Sequence, residues 1–304
     1  MDVASLEANA WTEPDAGEVR DITLDGVRYR LRHWPGNERQ RLLMLHGWMD
    51  NSASFALLAR ALGRDFDLFA PDWRGFGASD CPPGGYWYPD YFRDLELLVD
   101  ELFGEQPATL VGHSMGGNIA GLYAGIRPDR VGRLVTVEGF GMVPVASDRA
   151  PGRYRAWLDG LRQPPRFRSY PDFATYAERL KRLHPRMDDA KANWLARCWG
   201  RQRVDGAVEV NTDPRHKLPN PVLYRLDEAM ACWREITAPV LWVQGDDSDY
   251  LRALEDGDHD PGLAARRACF RHITTVQMKD AGHMLHHDVP EQLAACIREF
   301  LTGA

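Results

Sequence analysis

The sequence predicts an α/β protein, in which helices cover both faces of a mostly parallel sheet. Short apolar runs alternate with segments of helical spacing along most of the chain, and this alternation is typical of a parallel sheet. Hydrophobic residues make up 44% and charged residues 27% of the 304 residues, which suits a chain with a sizeable buried core. The composition excludes a wholly disordered, collagen-like or coiled-coil chain, and no apolar stretch is long enough to span a membrane.

The alternation begins after an N-terminal extension at residues 1–17, which lacks the basic and apolar regions of a secretory signal. Asp25-Gly26 lies between two alternating runs and predicts a β-hairpin. The later strands are short runs of apolar or β-branched residues, and the helices have apolar residues three or four positions apart. We predict strands at 41–47, 67–72, 108–114, 133–139, 239–245 and 272–278, and helices at 54–62, 90–103, 115–126 and 290–301.

The alternation breaks between residues 140 and 236, where the pattern is mostly helical and no buried strand is evident. We interpret this segment as a helical lid over the carboxyl edge of the sheet, inserted into a core formed by 18–139 and 237–304. Its residues 149–203 carry 14 Lys and Arg against 5 Asp and Glu. With Trp157, Trp194, Trp199 and Trp233, these charges suggest an apolar pocket whose mouth attracts anions, unless the arginines are surface residues and the tryptophans are lid core.

Gly112-His113-Ser114-Met115-Gly116 fits the pattern G-x-S-x-G between a predicted strand and a predicted helix. The glycines leave room for a tight, strained turn that exposes the Ser114 hydroxyl. The helix that begins there favours developing negative charge at its N-terminus. The pattern predicts that Ser114 is a nucleophile.

A serine hydroxyl needs a base, and His283 is the predicted one. It lies in Asp280-Ala-Gly-His283, directly after the last strand, where a loop would return to Ser114 at the carboxyl edge. The neighbouring His286 and His287 are alternatives.

The acid that orients His283 is ambiguous in the sequence. One candidate region, Asp246-Asp247-Ser248-Asp249, follows the strand at 239–245, and the other candidate, Glu138, ends the strand before the insertion. We favour Asp249 and keep Glu138 as the alternative acid.

An oxyanion hole requires two N–H donors that are already in place. The backbone N–H of Met115, directly after the nucleophile, is one candidate. The backbone N–H of Trp48, in the loop after the strand at 41–47, is the other.

The motifs HGW (46–48), DWRGFGAS (72–79), GHSMGG (112–117) and AGH (281–283) resemble those of the α/β-hydrolase superfamily. The stretch HGWMDNSASF (46–55) is similar to the branch that contains serine hydrolase-like proteins and epoxide hydrolases. The resemblance implies an eight-stranded, mostly parallel sheet, a lid after the sixth strand and a nucleophile–histidine–acid triad. It assigns Ser114 as nucleophile, His283 as base, and Trp48 and Met115 as oxyanion donors.

Two departures from the family pattern matter. Dehalogenases and epoxide hydrolases of this group use an Asp nucleophile, so Ser114 argues against both activities. The usual acid position, three residues after Gly245, holds Ser248, and Asp249 is one place late. Some relatives carry the acid after the sixth strand, where Glu138 stands.

We therefore expect a hydrolase that cleaves an ester-like bond of a small acyl substrate without a cofactor. A lactone, a thioester or a C–C bond is an alternative target, and acyl transfer or perhydrolysis an alternative reaction. A non-catalytic ligand-binding protein on the same fold is the competing class. The pI near 5.8 argues against nucleic-acid binding, and the oligomeric state is open, a homo-oligomer included.

No metal or redox chemistry is predicted from local patterns. The glycine spacing in residues 256–260 is wrong for an EF-hand. The five cysteines are widely spaced, with no CxxC pair, which is typical of reduced thiols in a cytoplasmic protein.

Overall fold

The computed structural model describes residues 12–37, 39–256 and 260–303. Residues 1–11 of the predicted N-terminal extension and residues 257–259 of the rejected calcium loop lie outside these ranges.

Within the described ranges the chain forms ten strands, of which eight make one sheet. The strands are β1 (Glu18–Leu24), β2 (Val27–Trp34), β3 (Arg41–Leu45), β4 (Asp67–Pro71), β5 (Ala108–His113), β6 (Val131–Val137), β7 (Gly200–Gln202), β8 (Val208–Val210), β9 (Val240–Gly245) and β10 (Ile273–Met278). The sheet order is β1-β2-β4-β3-β5-β6-β9-β10. Within this eight-stranded sheet the pairs β1–β2 and β2–β4 are antiparallel, and the other five pairs are parallel. The predicted mostly parallel, eight-stranded sheet is therefore confirmed.

Eleven α-helices accompany these strands in the described part of the chain. They are α1 (Ala56–Leu62), α2 (Tyr88–Phe103), α3 (Met115–Ile126), α4 (Ala150–Arg162), α5 (Phe173–Leu183), α6 (Asp189–Trp199), α7 (Leu226–Arg234), α8 (Asp249–Glu255), α9 (Gly262–Arg267), α10 (Leu285–Asp288) and α11 (Pro290–Thr302). None of them is both long and apolar enough to cross a membrane.

The sheet is buried on both faces, which explains why its central strands are apolar throughout. Leu43 of β3 packs into the cluster of buried side chains on the α2 and α3 face, whereas its neighbour Met44 packs into the opposite cluster with α1 and α11. Successive side chains of a strand point to opposite faces, so a run of apolar residues is needed to fill both layers. The hairpin before them turns at Asp25 and Gly26, both with positive φ, as the Asp-Gly pair predicted.

The segment 140–236 consists of α4 to α7 and the β7–β8 hairpin. We predicted its helices but not the hairpin, because two strands of three residues leave almost no periodic signal. Helix α7 packs against α3, and its Trp233 is buried in the core of the sheet domain. The last part of the segment therefore continues the packing of the core.

The loop after β4 is braced by buried charges. Asp72 accepts hydrogen bonds from the backbone N–H groups of Ser52 (2.8 Å) and Ala78 (2.9 Å). Arg74 donates from Nε to Asp94 Oδ2 (2.6 Å), and the same carboxylate accepts the Tyr29 hydroxyl. Asp94 is completely buried, so the ion pair joins the loop to α2 inside the core.

Replacing Asp94 with Ala removes the buried partner of the Arg74 guanidinium and, among the described residues, leaves it only the longer carboxylate contact to Asp90, at 3.4 Å. We expect the free energy of unfolding to fall by about 3–5 kcal/mol, the usual loss when one side of a buried ion pair is removed. Denaturant titration would measure this change. Glu101→Ala, at an exposed position of the same helix, is the control, and an equal loss in both variants would contradict a special role for the pair.

Candidate active site

The candidate site lies where loops leave the carboxyl ends of β3, β5, β6 and β10. In a parallel sheet these ends meet at one edge, and this edge is where α/β proteins place their ligands. The sequence distance between the loops is therefore no obstacle to contact between their side chains.

Ser114 sits on the turn between β5 and α3 with φ 51° and ψ −115°, a conformation that is strained for a residue with a side chain. The flanking glycines make the turn possible. A Cβ atom at Gly116 would lie 2.1 Å from the Leu45 carbonyl oxygen, and one at Gly112 would lie 2.6 Å from the Gly116 backbone. The turn places the Ser114 side chain at the N-terminus of α3, as the motif predicted.

His283 connects Ser114 to Glu138. Its Nε2 lies 2.9 Å from Ser114 Oγ, and its Nδ1 lies 3.1 Å from Glu138 Oε2. A carboxylate only accepts, so Nδ1 carries the proton and Nε2 is free to accept the Ser114 hydroxyl proton. The His283 carbonyl oxygen also accepts a hydrogen bond from His113 Nε2 (2.8 Å), which holds the loop after β10 against the end of β5.

Glu138 directly follows β6, is fully buried and has a positive φ of 54°. Its Oε1 accepts the backbone N–H of Gly245 at 2.8 Å, and its Oε2 accepts the hydroxyl of Ser248 at 2.5 Å. With His283, three donors surround this carboxylate. A buried carboxylate needs such partners because it has lost its water.

The structure brings Glu138, the alternative acid, to His283 and does not bring Asp249, the preferred acid, to it. Asp249 is the first residue of α8, its side chain is almost fully exposed, and it pairs with Arg252. Asp247, the remaining alternative, pairs with Arg186 and Arg252. Ser248 occupies the usual acid position and donates its hydroxyl to Glu138. The loop after β9 therefore supplies a hydrogen-bond donor, and the residue after β6 supplies the carboxylate.

The alternative histidines lie behind the site. His286 Nε2 and His287 Nε2 contact Ser54 Oγ at 2.9 and 2.7 Å, and both imidazoles are buried. Burial lowers the pKa of each well below its ordinary value, which keeps both rings neutral. Neither is seated to take a proton from Ser114 in place of His283.

Two predicted oxyanion donors flank Ser114. Met115 is the first residue of α3, where a helix leaves backbone N–H groups without internal partners. Trp48 lies in the loop after β3 and lines the same cavity as Ser114. The preceding residue, Gly47, approaches so closely that a Cβ atom there would lie 3.2 Å from Ser114 Cβ.

A cavity of about 520 Å³ opens over Ser114 and His283. The segment 140–236 supplies most of its outer wall, including Tyr176, Arg179, Leu180, Trp199 and Lys217. Of the four tryptophans singled out in the sequence, Trp199 alone lines this cavity; Trp194 and Trp233 are buried in the core, and Trp157 packs edge-on against Trp87.

The cavity wall is positively charged at its outer end. Arg179 and Lys217 line it, and among the described residues Arg179 has no carboxylate partner. Asp50 is the acidic side chain of this lining; it is buried at the floor, and burial raises the pKa of its carboxyl to about 7. Sequence analysis missed Asp50, because a single acid after a motif gives no signal of burial.

Comparisons with known proteins agree with the observed fold. A family model described as alpha/beta hydrolase fold matches residues 40–290. A serine hydrolase-like protein of Danio rerio is 28% identical over 277 residues, covering 88% of this chain and 83% of its own length. The 3-hydroxybutyrate-oligomer hydrolase of Cupriavidus necator is 29% identical over 306 aligned positions, covering 96% and 99%. Among solved structures, the thioesterase domain from the curacin biosynthetic pathway has a TM-score of 0.80 at 25% identity, covering 93% of this chain and 99% of that domain.

The identity of the acid can be tested at Ser114 itself. Glu138→Gln keeps the shape of the side chain but removes the charge that holds the His283 tautomer, so we expect the rate of fluorophosphonate labelling of Ser114 to fall by about 10³- to 10⁴-fold. Asp249→Asn is the control and should label within about twofold of the unaltered protein. The opposite ranking would restore Asp249 as the acid.

Proposed function

This chain belongs to the α/β-hydrolase family, and from this premise we propose that it is a serine hydrolase acting on an ester-like bond of a small acyl substrate. The observation that carries the proposal is the continuous hydrogen-bonded series Ser114 Oγ, His283 and Glu138, with its serine facing a cavity. A binding protein would have no need to keep a strained serine in contact with an oriented imidazole.

In the first half of the reaction His283 Nε2 takes the proton of Ser114 as its oxygen attacks the acyl carbon. The carbonyl electrons move to the oxygen, and in this proposal the backbone N–H groups of Trp48 and Met115 donate to the oxyanion. Return of the electrons expels the leaving alcohol, which receives the proton from His283. An acyl ester on Ser114 remains.

The second half repeats these steps with water. His283 removes a proton from the water, whose oxygen attacks the acyl carbon, and Ser114 leaves with the proton that His283 returns. The buried Glu138 carboxylate holds the His283 ring and stabilises the transient imidazolium. Substrate, water and the side chains named above account for every proton in these steps.

We assign the lid role to the segment 140–236, because α5, Trp199 at the end of α6 and, between the α-helices, Phe167 and Lys217 line the same cavity as Ser114. The aromatic and aliphatic residues Phe167, Tyr170 and Leu180 there favour an apolar acyl or alcohol group. Loss of water around the oxyanion would also strengthen its hydrogen bonds.

We infer that preferred substrates also carry a carboxylate away from the bond that is cleaved. Arg179 and Lys217 provide positive charge in the lining of the cavity. Among the described residues, the lining contains no exposed acidic side chain that would neutralise them. The name of the Cupriavidus necator relative is consistent with this class, since an oligomer of 3-hydroxybutyrate is a chain of esters that ends in a carboxylate.

The proposed nucleophile gives a direct test. Ser114→Ala should reduce kcat for p-nitrophenyl butyrate by about 10⁴-fold or more, because no other side chain can form the acyl ester. Turnover by the unaltered protein, with transient acylation detected by mass spectrometry, would support the proposal. No turnover of short esters or thioesters by the unaltered protein, together with no fluorophosphonate labelling, would favour the ligand-binding alternative.

Charge preference is tested with two substrates of equal acyl length, the p-nitrophenyl monoester of glutaric acid and p-nitrophenyl valerate. Arg179→Gln should lower kcat/KM for the charged ester by about fivefold, the value of a partly exposed ion pair, and leave the neutral ester unchanged. Arg182→Gln, exposed on the same helix and outside the cavity lining, is the matched control. Equal effects on both esters would refute the carboxylate subsite without touching the Ser114 mechanism.

A further inference from the structure

A second cluster of polar side chains is buried beside the cavity that Ser114 lines. Asp50, His113 and His286 each offer one potential ligand atom, and the three atoms lie within 4.8 Å of one another. Each residue is at least nine-tenths buried. They come from three separate parts of the fold, namely the loop after β3, the end of β5 and α10.

Each of the three side chains makes a hydrogen bond through one polar atom and leaves its other polar atom without one. His286 Nε2 also lies 3.8 Å from Asp50 Oδ2, too far for a hydrogen bond. Asp50 Oδ1 accepts the Asn51 backbone N–H at 2.7 Å, His113 Nε2 contacts the His283 carbonyl oxygen, and His286 Nε2 contacts Ser54 Oγ. Within the described residues, Asp50 Oδ2, His113 Nδ1 and His286 Nδ1 are buried and have no hydrogen-bond partner.

The anchoring contacts indicate which atoms carry lone pairs. A carbonyl oxygen only accepts, so His113 must hold its proton on Nε2, and its Nδ1 is an acceptor. Ser54 Oγ can accept the Nε2–H of His286, which leaves its own proton free for another acceptor. In that arrangement His286 Nδ1 is also an acceptor. Metal-binding histidines are held in this manner, with the second ring nitrogen donating to an oxygen.

The unpartnered oxygen of Asp50 and the unpartnered nitrogens of His113 and His286 are buried polar atoms, which proteins usually satisfy with a donor, a water or an ion. Two imidazole nitrogens and one carboxylate oxygen form a donor set that suits Zn²⁺ or a similar transition-metal ion, and suits Ca²⁺ and Mg²⁺ poorly. Zinc bonds of roughly 2.0–2.1 Å would draw the three atoms closer together. Asp50 and His113 both line the cavity beside Ser114, so an ion has a path to the cluster.

We propose that Asp50, His113 and His286 form a binding site for a divalent transition-metal ion of the zinc type, separate from the Ser114–His283–Glu138 series. The three residues leave one coordination position for water. The site went unpredicted from sequence because residues 50, 113 and 286 share no local spacing pattern.

The test is isothermal titration of the metal-free, full-length protein with ZnCl₂. One Zn²⁺ per chain is expected, and Asp50→Asn should weaken its binding at least tenfold, because it removes the anionic ligand while it preserves side-chain shape. His286→Gln should do the same. His184→Gln is the matched control, since His184 lines the same cavity outside the cluster, and thermal melts of each variant would establish that it is folded.

Co²⁺ gives an independent spectroscopic readout of the ligands. Bound Co²⁺ should show visible d–d absorption of a four- or five-coordinate ion without the near-ultraviolet charge-transfer band that a cysteine thiolate produces. The proposal fails if the unaltered protein binds no Zn²⁺ at about 100 µM, if the folded Asp50→Asn protein binds as tightly as the unaltered one, or if His184→Gln loses binding equally. A thiolate band would assign the metal to a cysteine and refute the proposal as well.

Discussion

The buried carboxylate of Glu138 is the interaction on which the geometry of the site depends. Its three donors are the N–H of Gly245 at the end of β9, the hydroxyl of Ser248 in the loop that follows, and the Nδ1–H of His283 in the loop after β10. A carboxylate removed from water must be paired in this way, so the position of one side chain fixes two loops at once. The same contact sets the His283 tautomer, and therefore the direction in which a proton can leave Ser114.

This requirement explains why residues with side chains accept unfavourable backbone conformations at the carboxyl edge. Ser114 and Glu138 both have positive φ, although neither is glycine. Each strained residue is held by neighbours that allow little relaxation: the Ser114 N–H donates to the Val137 carbonyl oxygen, and the Glu138 N–H to that of Val243. The sheet thus holds the reacting side chains in place, and strain at two residues is the cost of directing them into one cavity.

The sequence predicts features that are encoded within a few residues. It does not predict features that depend on where a side chain points in the folded chain. The alternation of strands and helices, the Asp25-Gly26 turn and the Ser114 motif are all legible within a few residues. The choice between Asp249 and Glu138 is not, because both follow strands that end at the same edge. What favours Glu138 is the start of α8, whose first residue, Asp249, has an exposed side chain paired with Arg252. The tryptophans of the segment 140–236 show the same limit, since composition does not reveal which ones face the cavity.

The loops of the sheet hold the side chains of the proposed reaction, whereas the inserted segment forms much of the cavity wall. The cavity wall can therefore change while the reacting side chains stay the same. The atoms that would perform chemistry stand on loops fixed by the core, whereas Tyr176, Arg179 and Trp199 come from the segment laid over them. Substitutions on α5 can change the shape and charge of the cavity without moving Glu138, because the carboxylate contacts no residue of that helix among those described. A fold with this arrangement can keep one proton-transfer geometry while its substrate changes. Membership of the family therefore says more about the kind of reaction than about which substrate is used.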